Sequence, residues 1–340
     1  MDSMKKVFAV VLALTLLAAS LLPCAALAEN KKINVVTTIF PIYDWVREIA
    51  GENLENIELT MLLDSGADLH NFQPTAPDIL KVAAADLFIF VGGESDEWTE
   101  DVIATTMNTK LRTVNLVEAL GDLAKAEELV EGMEHEHEDE DEDHDHEDHD
   151  HEHEDHDHEH ETEMDEHVWL SLRNAQALCR VIADELCEID PDHAALYQNN
   201  LAAYEEKLAA LDQQYAEAVA ASAYDTILFG DRFPFRYLAD DYGLTYYAAF
   251  SGCSAESEAS FQTIVFLAGK VDELGLPAVL TIENPKARIA ETIVQTTQAK
   301  NQKILAMDSL QSVTAQDVQA GVSYLAVMES NLEILKQALN

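Results

Sequence analysis

Basic residues are scarce in this chain: 20 Lys and Arg stand against 65 Asp and Glu, a formal net charge of −45 over 340 residues. A surface of that sign repels nucleic acid and anionic headgroups and favours cations. Cysteine is rarer still, at four residues. Cys179 and Cys187 lie two turns apart on a predicted helix, about 12 Å along its axis, beyond disulfide reach. No pair shows the C-x-x-C spacing of a zinc site, so both read as helix core. Long apolar runs are absent except Val7–Leu22, which is short for a bilayer span. Lys5 and Lys6 precede it, and Pro23 and Ala26-Leu27-Ala28 follow. That is the layout of an export signal cleaved after Ala28. Leu21-Leu22-Pro23-Cys24 resembles a bacterial lipobox, although Pro replaces the usual small residue, so a lipid anchor at Cys24 is the alternative. Either route places the mature chain outside the cytoplasm, in a periplasm or on the outer face of the cell membrane. Signatures of catalysis are missing as well. There is no H-E-x-x-H, no G-x-S-x-G and no glycine-rich phosphate loop. An enzyme, with a metallohydrolase as the specific rival, is therefore disfavoured.

Histidine is abundant in one place. Every residue from Glu134 to Glu161 is His, Asp or Glu, and ten of the chain's 13 histidines fall there. The run supplies −18 of the charge and leaves the rest of the chain at −27. With no apolar side chain it cannot build a core, so it is expected to be a solvated, disordered loop. Imidazole suits Zn, Cu, Ni and Fe, and a tract this dense reads as a metal-collecting segment. An acidic spacer with incidental histidines is the bland alternative.

The chain exceeds the roughly 250–300 residues at which single cores stop growing, so two lobes are expected. Strand-like runs at Ile33–Phe40, Ile57–Leu63, Asp86–Val91 and Thr113–Leu116 alternate with helical patterns. The second half repeats this with Thr226–Phe229, Leu244–Phe250, Pro277–Ile282 and Lys303–Met307, and with helices at Phe235–Tyr242, Ser260–Leu274, Ala287–Lys300 and Thr314–Leu339. Such alternation predicts an α/β fold: two lobes, each a mainly parallel sheet flanked by helices. Ser171 caps a helix to about Cys187. Pro191 to about Ser222 is the longest helical pattern and reads as a rigid strut joining the lobes. The expected layout is a signal at 1–28, an N-terminal lobe at 29–133 and 162–190 interrupted by the loop 134–161, a linking helix at 191–222 and a C-terminal lobe at 223–340. Ligands in such sheets bind beyond the carboxyl ends of the strands, so both lobes should face one cleft.

Outside the run and the signal only His70, His167 and His193 remain. His193 reads as an exposed first-turn residue. His70 lies in Asp68-Leu69-His70-Asn71-Phe72-Gln73-Pro74-Thr75 and His167 in Asp165-Glu166-His167-Val168-Trp169-Leu170-Ser171. Alone, each is more simply structural. Together, D-x-H-N-F-Q-P-T-x-x-D and D-E-H-V-W-L-S-x-x-N-A resemble the metal-binding motifs of the zinc/manganese substrate-binding proteins of bacterial ABC importers. The strut, the His-rich insertion, Gly252-Cys253-Ser254-Ala255-Glu256-Ser257-Glu258 and Tyr324-Leu325-x-x-Met328-x-x-Asn331 extend the resemblance from about Lys31 to Asn340.

The resemblance implies that His70 and His167 are metal ligands. It also implies a third ligand, His or Glu, five residues before an aromatic in the second lobe. Counting back from Tyr237 lands on Arg232, which cannot ligate a cation. Asp231, at the end of its strand, is the better candidate, with a helix cap or an ion pair to Arg232 as its alternative. Arg232 itself is expected to turn away or pair with Glu256 or Glu258. Asp308 matches the family's late aspartate, again with capping as the alternative, and Glu283 reads as structural. The expected metal set is therefore His70, His167, Asp231 and Asp308, with no catalytic residues. Zn²⁺ accepts such N and O donors, and Mn²⁺ accepts them at higher coordination number. The His-rich run favours zinc, with manganese the alternative and nickel still open. The function implied is an extracytoplasmic binding protein that captures a divalent metal in the cleft and delivers it to an ABC permease. A metal buffer or adhesin not coupled to transport is the alternative. No nucleic-acid partner is expected, and membrane association only through the permease or Cys24.

Overall fold

The computed structural model describes residues 32–133, 163–254, 258–283 and 287–340. The signal at 1–28, the run Glu134–Glu161 and Glu256 lie outside them. Among the described residues there are eight strands in two sheets of identical topology, and every pairing is parallel. The first sheet has β1 (Ile33–Thr37), β2 (Ile57–Met61), β3 (Leu87–Phe90) and β4 (Arg112–Asn115) in the order β2-β1-β3-β4. The second has β5 (Thr226–Phe233), β6 (Thr245–Ser251), β7 (Ala278–Thr281) and β8 (Lys303–Ala306) in the order β6-β5-β7-β8. The strand order reverses between β1 and β3 and again between β5 and β7, which is where such sheets open a crevice at their carboxyl ends. β3 and β7 are buried along their whole length, as strands covered on both faces must be.

The strut is the helix Ala194–Ala220, about 40 Å long at 1.5 Å per residue. Its buried side chains are Tyr197, Leu201, Tyr204, Leu208, Leu211 and Tyr215, spaced alternately four and three apart. That single stripe packs on helices of both halves, Phe40–Ala50, Leu172–Ile189 and Tyr324–Ala338. The Tyr215 hydroxyl donates to the Met328 carbonyl at 2.6 Å, tying the strut to the C-terminal helix. One apolar cluster therefore runs through both sheets and the strut. A smaller one lies under Phe261–Leu274 and Arg288–Thr296.

Two details depart from the expectation. The helix expected over Thr314–Leu339 is two helices, Ala315–Ala320 and Tyr324–Ala338. Gly321 adopts φ 94° at the break, and the Ser323 side chain caps the second helix. β5 also runs past Phe229 to Phe233 and carries a bulge: Phe229 pairs with Ala248 but Arg232 with Phe250, one residue more than on β6. Gly230 sits in the bulge because a Cβ there would stand 2.6 Å from the Ala290 backbone.

Candidate metal centre

The two histidine motifs share one local device. The carboxylate two residues before each histidine accepts that histidine's backbone N–H: Asp68 from His70 at 3.1 Å, Asp165 from His167 at 2.9 Å. This Asx-type turn is why both motifs read D-x-H. The later Asp78 accepts from the Thr75 backbone at 3.1 Å and its hydroxyl at 2.6 Å, anchoring the start of helix Ala76–Ala83 behind His70. Ser171 accepts from the Asn174 backbone and opens the helix after His167. Trp169 is fully buried and donates from its indole to the Ser309 carbonyl at 2.9 Å, so the His167 turn is fastened to the second lobe.

These turns bring the two rings together at a tilt of 52°, with the Nε2 atoms 3.1 Å apart. Each ring has an acid at its other nitrogen. His167 Nδ1 lies 3.0 Å from Asp165 Oδ1. His70 Nδ1 lies 2.9 Å from the Ser95 hydroxyl and 3.4 Å from Glu166 Oε2. An acceptor at Nδ1 selects the tautomer whose Nε2 carries a lone pair, the usual arrangement behind a metal-binding histidine. Burial opposes ionisation of Glu166, but hydrogen bonds from His70 and Ser95 outweigh it and hold its carboxyl below the ordinary value. Tetrahedral zinc with bonds of about 2.0–2.1 Å to nitrogen needs ligand nitrogens about 3.3 Å apart. The observed pair fits with little movement.

A third donor comes from the other lobe. Among the described residues, one set of three metal-ligating donors lies within 4.8 Å of one another: His70, His167 and Cys253. Cys253 follows the carboxyl end of β6. Its backbone N–H donates to Glu127 at 3.2 Å. Burial, together with the charges of Glu127, Asp165 and Glu166, pushes its thiol well above the ordinary value; a backbone hydrogen bond from Glu166 works the other way. Sequence reasoning did not single out Cys253; the available signals were a cysteine just past a strand end and, 21 residues earlier, an arginine where the resemblance required a ligand.

Asp231 and Asp308 stand outside this donor set. Asp231 accepts from the Arg232 backbone at 2.9 Å. Burial raises its carboxyl, with the charge of Glu283 adding and the Arg232 charge and a backbone bond from Ile282 opposing. Asp308 accepts from the Leu310 backbone at 2.7 Å, and burial with the Glu283 charge pushes it up to about 6. Glu283 is structural, accepting from the Ser309 backbone and hydroxyl, both at 2.7 Å. Arg232 pairs with Asp68 across the lobes, with no pair to Glu258 among the described residues, and donates to the Ser254 carbonyl at 3.3 Å. Burial works against ionisation of Asp68, yet Arg232 holds its carboxyl below the ordinary value. Gln311 completes the surround. Its amide nitrogen donates to Asp68 at 2.9 Å, and its oxygen lies 2.8 Å from His167 Nε2. His193 lies away at the start of the strut, where its ring pairs with Asp190 at 2.8 Å.

Over residues 35–338 the chain matches the family described as zinc-uptake complex component A, periplasmic (ZnuA). The chain belongs to that family. It is 32% identical over 306 residues to the zinc-binding lipoprotein AdcA of Streptococcus pneumoniae, covering 90% of this chain and 56% of that protein. This chain thus spans little more than half of AdcA's length. With the high-affinity zinc uptake system protein ZnuA of Bacillus subtilis it shares 28% identity over 312 residues, 92% of this chain and 89% of that one. The crystal structure of the Zn(II)-bound ZnuA-like domain of S. pneumoniae AdcA superposes with a TM-score of 0.67 at 28% identity, covering 91% of this chain and 99% of that one. The two-lobed α/β fold is the fold of the family.

Behind the centre, Asp96 holds the end of β3, accepting from the Val91 and Gly92 backbones at 2.8 and 3.2 Å. Burial drives its carboxyl up to about 7; the two backbone bonds oppose this and the Glu166 charge adds to it. Its folded value is thus above its unfolded value. The folded chain binds an extra proton between about pH 4 and 7, and the associated stability is lost as pH rises through about 7. In chelator, Asp96→Asn should gain on the parent by roughly 1–3 kcal/mol between pH 5 and 8. Melting curves across that range test this, and a pH-independent difference would refute it.

Proposed function

We propose that this chain captures a divalent metal, zinc, between its lobes outside the cytoplasm and hands it to the ABC permease of a metal importer. The observation that carries the reading is the pair of Nε2 atoms 3.1 Å apart, each ring backed by a carboxylate. Family membership and zinc-binding relatives support it. The ion is cargo. His70 and His167 hold it from the first lobe, and the second lobe closes the site. The strut packs along helices of both lobes, so it permits only a small rotation between them. At the permease that rotation separates donors of the two lobes and loosens the ion. The run Glu134–Glu161 collects metal weakly and raises its concentration near the cleft.

Deleting Glu134–Glu161 tests the division of labour. The deletion variant should keep one tight zinc per chain and lose several weaker ones, measured by calorimetry and by metal analysis of protein purified without added metal. Absence of any tight zinc in that variant would place the function in the run and refute the cleft assignment.

A further inference from the structure

The family resemblance leaves the third ligand position at Arg232, a residue with a permanent positive charge and no lone pair to give. The position facing the two imidazoles from the second lobe is filled from a different strand. We infer that the Cys253 thiolate is the third metal ligand of this chain, making an N₂S centre suited to thiophilic divalent cations and poorly suited to manganese. This rests on the metal-capture reading above.

Three observations converge on it. First, His70, His167 and Cys253 form the donor set that lies within 4.8 Å. With bonds of about 2.0–2.1 Å to nitrogen and about 2.3 Å to sulfur, a tetrahedral zinc spans these donors after movement of little more than about an ångström. Second, Gly252 is shaped for the approach. A Cβ there would stand 2.9 Å from His167 Cε1 and 3.0 Å from both His167 Nδ1 and the Phe233 carbonyl. The backbone just before Cys253 thus lies against the edge of a ligand ring, which only glycine allows. Third, Arg232 has a fixed occupation elsewhere. It joins Asp68, whose other oxygen holds the His70 turn, to the carbonyl of Ser254, the residue after Cys253. The arginine at the old ligand position braces the new ligand's loop instead of competing for the ion.

Binding breaks the Cys253 S–H bond. The proton leaves to solvent, and the sulfur lone pair forms the bond to the cation, with no change in oxidation state. Two neutral imidazoles and one thiolate give a donor charge of −1. Soft thiolate selects zinc over manganese, which prefers carboxylate, carbonyl and water oxygen.

Cobalt(II) reads this directly, because a sulfur ligand gives an intense near-ultraviolet charge-transfer band that nitrogen and oxygen ligands lack. The full chain, reduced and freed of metal, is titrated with cobalt alongside Cys253→Ser, Cys253→His and His70→Ala. Expected is a charge-transfer band saturating at one equivalent, absent in both Cys253 variants. Cys253→His should retain one tight cobalt, showing that the fold and the remaining ligands survive. The thiolate assignment is overturned if one tight, His70-dependent cobalt binds without the band, or if the band persists in Cys253→Ser; metal capture then stands alone. If no tight cobalt depends on His70, the metal-capture reading falls and the thiolate assignment with it.

Discussion

His167→Ala should lower zinc affinity on the order of a thousandfold, about 4 kcal/mol. His167 is fully buried, and both its ring nitrogens are engaged, Nδ1 by Asp165 and Nε2 by Gln311 and His70. Removing the ring deletes one of the two imidazoles proposed to hold the ion. It also leaves the Asp165 carboxylate without its ring donor, so the surround cannot simply collapse onto a smaller site. Water can enter the vacated position, but it is a weaker donor and brings no preset geometry. The run Glu134–Glu161 cannot compensate at low free zinc, because its sites are expected to be weak. Competition against a chromophoric chelator measures the change, with far-ultraviolet circular dichroism to check folding. A loss below tenfold in a folded variant would remove His167 from the ligand set.

That His167 and His70 belong together was legible before any coordinates only through the family resemblance their two motifs carry, since each histidine alone read as structural. The parallel sheets were legible too, from buried runs such as Leu87–Phe90 alternating with helices. What failed to show in the sequence depends on geometry between distant segments. The choice of Asp231 rested on its place just after Thr226–Phe229, yet β5 continues to Phe233 and its bulge adds a residue there. A bulge re-aims every side chain beyond it, so the count along the strand no longer tells which one meets the cleft. Cys253 lies 83 residues from Leu170 in the His167 turn, with no metal-type spacing to mark it. Its nearness to the rings comes from Gly252 tucking against His167, a contact no periodicity encodes. The division of Thr314–Leu339 was hidden for a simpler reason. Glycine inside a helical pattern is tolerated, and Gly321 becomes a stop only because Ser323 is there to restart the next helix.

The pH dependence of zinc affinity should separate a thiolate site from one of imidazole and carboxylate alone. Burial and the acids around it hold the Cys253 thiol above its ordinary value, so the metal-free chain carries that proton throughout the neutral range. Zinc must displace it. Each proton released on binding raises the apparent affinity about tenfold per pH unit, so the thiol alone should strengthen binding about a hundredfold from pH 6 to 8. The sign follows from which state holds the proton: the free chain binds it and the loaded chain does not, so acid favours the free chain. Cys253→Ser keeps both imidazoles, so its difference from the parent isolates the thiol, and the window from pH 7 to 8 suffices to read it. There the parent chain should gain about tenfold in affinity, and calorimetry in buffers of differing ionisation enthalpy should count about one released proton. Cys253→Ser, whose hydroxyl does not ionise in this range, should be nearly flat over the same window. Equal slopes in the two proteins would mean that the proton comes from elsewhere and that sulfur is not a ligand.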